Sequence, residues 1–305
     1  MLPFDLNEVN AYQQWRAWKL SAYPVNAEDL LVYLEDPYSL STEEKNAVLD
    51  RCLKYNLVIY SCDQEKHDIS DKNLPRTLGK QLGLDRLDAH LCVDEDDISS
   101  LKVASSGKRH EGYIPYTDRP ISWHTDGYYN SSSERIQAMV LHCVSDAASG
   151  GENELMDHEM AYICMRDENP DYIRALMQPD VMTIPPNIEN GVMIRDSVTG
   201  PVFTVDKETG ALHMRYTART RSIEWKQDDL TREAINFLES LFSEDSAYIL
   251  RHRLKPGQGV ICNNVLHNRT GFVDDEECGK QRLIYRARYY DRIKDTGLDA
   301  VNERL

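Results

Sequence analysis

Basic residues are in deficit in this 305-residue chain: 35 Lys and Arg face 51 Asp and Glu, for a formal net charge of −16. Nucleic acid and anionic membrane surfaces both need a cationic face, so neither is expected as a partner. A small-molecule substrate stays open, because a pocket can be locally basic. No apolar run approaches the ~20 residues of a membrane span. The opening Met1-Leu2-Pro3-Phe4-Asp5 lacks the basic-then-apolar pattern of a secretory signal. None of the seven cysteines (Cys52, Cys62, Cys92, Cys143, Cys164, Cys262, Cys278) belongs to a C-x-x-C pair. Their odd number and loose spacing read as reduced, mostly buried thiols in a reducing compartment. Repeats, low-complexity tracts and linkers are also missing. A cytoplasmic location and one domain over 1–305 are the expectations, with a homo-oligomer left open.

What is present changes texture along the chain. Residues 8–54 read helical, with Val9, Tyr12, Trp15, Trp18 and Leu20 at helical spacing and Leu30, Leu31, Tyr33 and Leu34 after them. Ser41 and Glu44 form a capping box before a further helix. A short buried strand at 57–60 and a helix near 71–83 complete a mostly helical region, 1–97, expected to pack outside the sheet. From about 98 strands dominate: 100–104, 113–123, a central apolar strand at 136–144, and 152–156. Helices are expected near 158–167 and 170–177, with Asn169-Pro170 as N-cap and first residue. A hairpin is read at 201–205 and 211–216, and a helix at 229–243. Strands return at 248–254, 260–264 and 282–290. The fold class is therefore mainly β with flanking helices: one jelly-roll-like barrel over 98–292 with helices outside.

Trp123-His124-Thr125-Asp126-Gly127 is the stretch with chemistry in it. In an extended segment, side chains two apart leave the same face, so His124 and Asp126 make two corners of a metal site. A distant histidine would supply the third, and His267 in Leu266-His267-Asn268-Arg269-Thr270-Gly271-Phe272 is the best candidate. Two histidines and one carboxylate on one face of an octahedron leave positions open, as in non-haem Fe(II) oxygenases. His142, inside the central apolar strand, reads as a packed core histidine instead.

The last strand poses a charge problem. With period two, Arg282, Ile284, Arg286 and Arg288 share one face, and Leu283, Tyr285, Ala287 and Tyr289 the other. Facing solvent, the arginines would be unremarkable. Facing inward, they need an anionic partner, and a dicarboxylate would suit their planar forks.

His124-Thr125-Asp126, Gly150-Gly151-Glu152-Asn153, Leu266-His267-Asn268-Arg269-Thr270-Gly271-Phe272, Arg282 and the tail Arg288-Tyr289-Tyr290-Asp291, in this order, resemble the taurine dioxygenase-like (TauD/TfdA) family. The resemblance covers about 98–292. It implies a double-stranded β-helix fold and an Fe(II)- and 2-oxoglutarate-dependent dioxygenase. Such an enzyme consumes O2, releases succinate and CO2, and hydroxylates a C–H bond of a small polar or charged metabolite. By position, His124, Asp126 and His267 would ligate iron and Arg282 would hold the distal carboxylate of 2-oxoglutarate. Asn153 falls where the family usually has Thr or Ser, and its amide can still donate. Arg286 competes with Arg282 as the anchor, or else serves the substrate. The presence of Asp126 disfavours the halogenase subgroup, which replaces that carboxylate by a small residue.

For the substrate, Tyr128 and Tyr129 are candidates to line the pocket, including by cation–π contact with a quaternary ammonium. Arg215, with Arg219 and Arg221, is a candidate receiver of an anionic substrate. Two other functions compete: a cupin-type hydrolase or lyase using Zn(II) or Mn(II) to activate water, and a non-catalytic small-molecule sensor.

Overall fold

The structure, a computed structural model, describes residues 2–89, 94, 96–104, 113–189, 191–220, 223–243 and 246–305. Cys92 and Arg221 lie outside the described residues. The six described cysteines are free thiols, four of them buried. Among the described residues no helix is long and apolar enough to cross a membrane.

Two sheets carry the architecture. The larger has six strands in the order Leu31–Leu34, Leu57–Cys62, Gln258–Cys262, Ala138–Ser145, Leu283–Tyr289, Ser99–Leu101. Its first pair is parallel and the rest antiparallel. The smaller is antiparallel, in the order Leu250–His252, Asn153–Met156, Leu266–Arg269, Ile121–His124. The remaining sheets are pieces of two or three strands, and no closed barrel forms among the described residues. The expected single barrel is thus corrected to two facing sheets with small satellites.

Strand alternation decides what each face touches. Leu57, Ile59, Met139, Leu141, Cys143, Val260 and Ile284 turn towards the small sheet and share a core with its Leu155 and Leu250. Val58, Tyr60, Val140, Tyr285, Ala287 and Tyr289 turn the other way, onto Val48, Cys52, Leu74 and Leu78 of the helices Thr42–Tyr55 and Leu74–Gln81. Strands buried on both faces read as continuous apolar runs, which is why 136–144 is legible as central. Where the backbones crowd, a side chain is excluded: a Cβ on Gly259 would collide with the Leu141 carbonyl and the Tyr60 ring.

Several expectations are corrected here. Leu31–Leu34 is a strand, not a helix. The local helical signal yields only the 3-10 turn Ala27–Leu30, because a parallel partner, Leu57–Cys62, claims the apolar run. Residues before 98 therefore supply two strands of the main sheet as well as the expected helices. In 113–123 a 3-10 turn, Ile114–Tyr116, precedes a strand confined to Ile121–His124. The capping box at Ser41 and Glu44, the Asn169 cap and the hairpin Phe203–Val205 with Leu212–Met214 are found as read.

A third core joins the helices Val9–Leu20, His158–Glu168, Pro170–Leu176 and Asp229–Ser240. Inside it Lys19 is fully buried, with Nζ 2.7 Å from Asp157 Oδ2 and also paired with Glu159. Asn56 Nδ2 donates to Asp157 Oδ1 at 3.0 Å, and Asn263 Nδ2 donates to Asn56 Oδ1 at 3.1 Å. Lys19, Asp157, Glu159, Asn56 and Asn263 are thus tied into one chain of polar contacts.

His142 is a packed core histidine, as expected: fully buried, 2.8 Å from the Tyr60 hydroxyl through Nδ1 and 2.9 Å from the Ile69 carbonyl through Nε2. Burial pushes its protonation down to about 4. The unfolded imidazole titrates near 6.5, so between those values the unfolded chain binds a proton that the folded chain refuses. This contribution to stability is complete above the unfolded value and is lost as pH falls. The urea midpoint should drop from about pH 7 to about pH 5, and less steeply in His142→Gln. Equal slopes in the two proteins would contradict the assignment.

Candidate metal centre

The antiparallel neighbours Ile121–His124 and Leu266–Arg269 place His124 and His267 directly opposite each other. Their rings are 4.3 Å apart between centroids. Asp126 lies just past the end of its strand, where the chain bends into Gly127, so its carboxylate arrives from a turn and not from strict strand alternation. One donor atom from each of His124, Asp126 and His267 falls within 4.8 Å of the others.

The protonation states suit a divalent cation. Each histidine puts Nδ1 at 2.9 Å from the carbonyl two residues before it, Ser122 or Val265. A carbonyl only accepts, so Nδ1 carries the hydrogen and Nε2 keeps its lone pair. Burial holds both imidazoles neutral, and beside His267 the protonation of His124 falls to about 3. Burial alone would raise Asp126, but the guanidinium groups of Arg286 and Arg288 outweigh it and keep the carboxyl ionised, well below its usual range. Arg286 Nη1 donates to Asp126 Oδ1 at 3.1 Å.

The arginine face of Leu283–Tyr289 points inward. Arg282, Arg286 and Arg288 are all less than a tenth exposed and lie on the face of Ile284, towards the small sheet. Arg288 is paired with Asp88 and donates to the Tyr129 hydroxyl at 3.0 Å. Arg282 has no such partner among the described residues: its Nη1 is buried without a hydrogen bond there, and burial pushes the guanidinium down to about 10. It lines a narrow cavity together with Asn153, Gly150 and Gly151. The Asn153 amide makes only a long contact, 3.5 Å, to the His252 carbonyl. Gly150 has φ of +70°, and a Cβ there would strike the Gly271 carbonyl, so the Gly-Gly pair is what lets the chain close against this cavity.

The expected substrate residues are placed differently. Tyr128 is buried with its ring edge-on to His124, 6.4 Å between centroids. The Tyr129 ring already has Arg195 and Arg288 near its face, 5.9 and 6.0 Å away, so the protein's own cations occupy the cation–π position expected for a ligand. Arg215 donates to the carbonyls of Tyr128, Met182 and Val198 at 2.7, 3.3 and 2.8 Å. It clamps three backbone segments while still lining a cavity beside the Asp126 loop. Arg219 is exposed.

Asn264 was not singled out by the motif, yet it holds the site. Its Oδ1 accepts the Asp126 N–H at 2.8 Å, and its Nδ2 donates to the Asp126 and Ile136 carbonyls at 2.9 and 2.7 Å. The backbone at Asn264 is left-handed, φ +49°. The signal was available: Asn263-Asn264 between two apolar runs is a turn, and Asn tolerates that conformation. Asn264→Gly keeps the turn and deletes the clip. It should weaken Fe(II) binding about 10- to 100-fold, read by anaerobic titration, and wild-type affinity in that variant would show the clip to be dispensable.

Two imidazoles from adjacent strands and one carboxylate from the turn that follows one of them form the donor set of mononuclear non-haem iron oxygenases. The chain belongs to the taurine catabolism dioxygenase TauD, TfdA family, whose model matches residues 23–288. It is 31% identical over 191 residues to a uridine-5'-phosphate dioxygenase of an Amycolatopsis species, covering 59% of this chain and 64% of that protein. It is 27% identical over 177 residues to a trimethyllysine dioxygenase of Meyerozyma guilliermondii, covering 55% of this chain and 42% of that one. The matched stretch thus spans less than two thirds of either relative. The fold is similar to that of an asparagine oxygenase solved with Fe(II), 3-hydroxyasparagine and succinate: TM-score 0.57 and 15% identity over 94% of this chain and 85% of that chain. It is similar also to AAD-2 solved with Mn(II) and N-oxalylglycine: TM-score 0.62 and 13% identity over 86% of this chain and 95% of that chain.

Proposed function

We propose that this protein is an Fe(II)- and 2-oxoglutarate-dependent dioxygenase that hydroxylates a C–H bond of a small polar or charged metabolite, on a double-stranded β-helix core. The convergence of His124, Asp126 and His267 carries the reading, with the unpartnered Arg282 guanidinium as its complement. His124 and His267 would hold iron through Nε2 and Asp126 through its carboxylate. Bound iron supplies the oxidising chemistry, with O2 consumed and 2-oxoglutarate converted to succinate and CO2.

The chain's own groups do the rest. Arg282 receives the distal carboxylate of 2-oxoglutarate in the cavity it shares with Asn153, whose amide donates a second hydrogen bond. Arg286 keeps Asp126 ionised and fixes its orientation. Facing sheets bury the donor set and exclude water from it. A hydrolase built on the same three ligands would leave the buried Arg282 with no anion to balance. The relatives named for uridine-5'-phosphate and trimethyllysine both act on charged polar molecules by their names, which supports the substrate class and no single compound.

Mixing the protein anaerobically with Fe(II) and 2-oxoglutarate should produce a weak visible charge-transfer band that His267→Ala lacks. A wild-type protein with no band, or a band that survives the substitution, ends the proposal.

A further inference from the structure

A second, small cavity backs onto the Asp126 loop and is lined by Arg135, Arg215, Thr204, Thr199, Ser131 and His213 among others. Its charge is opposite to that of the chain. Acidic residues outnumber basic ones in the protein, 51 to 35. Yet Asp126 is the only carboxylate residue lining this cavity among the described residues, and Arg286 already pairs with it. Arg135 is half-buried and makes no hydrogen bond or ion pair among the described residues. Thr204 Oγ1 is buried with no partner. The Arg215 charge is fixed in the wall by its three carbonyls, and Gly200 leaves room for it: a Cβ there would sit 3.1 Å from Nη1. Arg195 and Arg135 crowd the same guanidinium, and burial together with their fields pushes it down to about 10, with no carboxylate opposing them.

A pocket that gathers guanidinium and hydroxyl donors, two of them unused, lacks an anion with several acceptor oxygens. We propose that this cavity binds a tetrahedral oxyanion of the phosphate type, with Arg135 as the principal donor, Thr204 Oγ1 as a second and Arg215 as the fixed positive wall. The anion is either the phosphoryl group of an organic ligand or free phosphate. Asp126 borders the cavity, but its carboxylate is held by Arg286 and none of the proposed donors is a metal ligand, so anion binding can be tested with no metal present.

The test titrates the metal-free, full-length protein with inorganic phosphate at constant ionic strength, following heat of binding and thermal midpoint. Saturable binding with a rising midpoint is expected, and potassium chloride should not reproduce it. Arg135→Gln should weaken phosphate binding about 10- to 100-fold, the loss of one charge-assisted contact. Its anion-free midpoint should lie close to wild type, because Arg135 makes no hydrogen bond or ion pair among the described residues and what is lost is its longer-range field on Asp206. Arg135→Lys should recover part of the affinity. No saturable binding, or equal affinity in Arg135→Gln, overturns the proposal. Uridine 5'-phosphate then separates the sources: competition with phosphate at about tenfold or greater affinity assigns the site to an organic phosphate ester, and equal affinity assigns it to the free anion.

Discussion

Arg282→Ala raises the 2-oxoglutarate requirement by roughly 30- to several-thousand-fold while Fe(II) binding persists. The magnitude follows from removing one partner of a buried, hydrogen-bonded charge pair, about 2–5 kcal/mol. Arg282 is where the structure has a guanidinium to spare. It is 7% exposed, its Nη1 is unpartnered, and it lines a cavity with Asn153. Arg286, four positions on along the same face, is committed to Asp126 at 3.1 Å. Arg286→Ala should therefore act first on the metal ligand, weakening Fe(II) binding more than it changes the requirement for 2-oxoglutarate at saturating metal. Apparent KM for 2-oxoglutarate and anaerobic Fe(II) titration on both variants separate the roles. The reverse pattern would move the anchor to Arg286, and no effect in either variant would remove the carboxylate from this cavity altogether.

Lys19→Met should cost about 3–5 kcal/mol of stability, because it strands two buried carboxylates. Lys19 is fully buried between Asp157 and Glu159, and both carboxylates are less than a tenth exposed. The pH dependence has a definite sign. In the native protein burial raises Glu159, but Lys19 together with His158 and Arg292 outweighs it, so the folded carboxyl ionises below its ordinary 4.5. Its contribution is present above that value and fades as pH drops. Without Lys19 burial favours protonation of Glu159 in the folded state, so the deficit of the variant is largest near neutrality and narrows towards acid. Urea unfolding at about pH 7.5 and about pH 5 measures it. Adding Asp157→Asn and Glu159→Gln should restore much of the loss, and an equal deficit at both pH values would contradict the account.

Much of the site could be read from the chain because its determinants are local. His124 and Asp126 are two apart, and the arginines at 282, 286 and 288 share a face by simple alternation. Their direction was not legible, because Leu283, Tyr285, Ala287 and Tyr289 on the other face suit an outer helical layer as well as a core; only the fold shows that both faces are covered. What escaped depends on partners far away in the chain. Leu31–Leu34 becomes a strand because Leu57–Cys62 lies beside it, and no window of residues contains that pairing. Arg215 looked like a free cation because the three carbonyls that occupy it come from separate segments. Asn264 sits three residues before His267, but its purpose appears only when Asp126, 138 positions away, is seen in its grasp. Closure into a barrel was inferred from a run of strands, whereas short strands and bends divide them into separate sheets.

The alternation of Leu283–Tyr289 sets a rule for length changes in that segment. One residue inserted between Tyr285 and Arg286 would rotate Arg286 and Arg288 into the aliphatic layer over Leu74 and Leu78 and send Ala287 and Tyr289 towards the histidines. Two inserted residues would restore the facing and move only the spacing to Arg282. Tolerance to insertions here should therefore follow parity: odd lengths unfold the chain, and even lengths give a folded protein whose grip on its cosubstrate is altered.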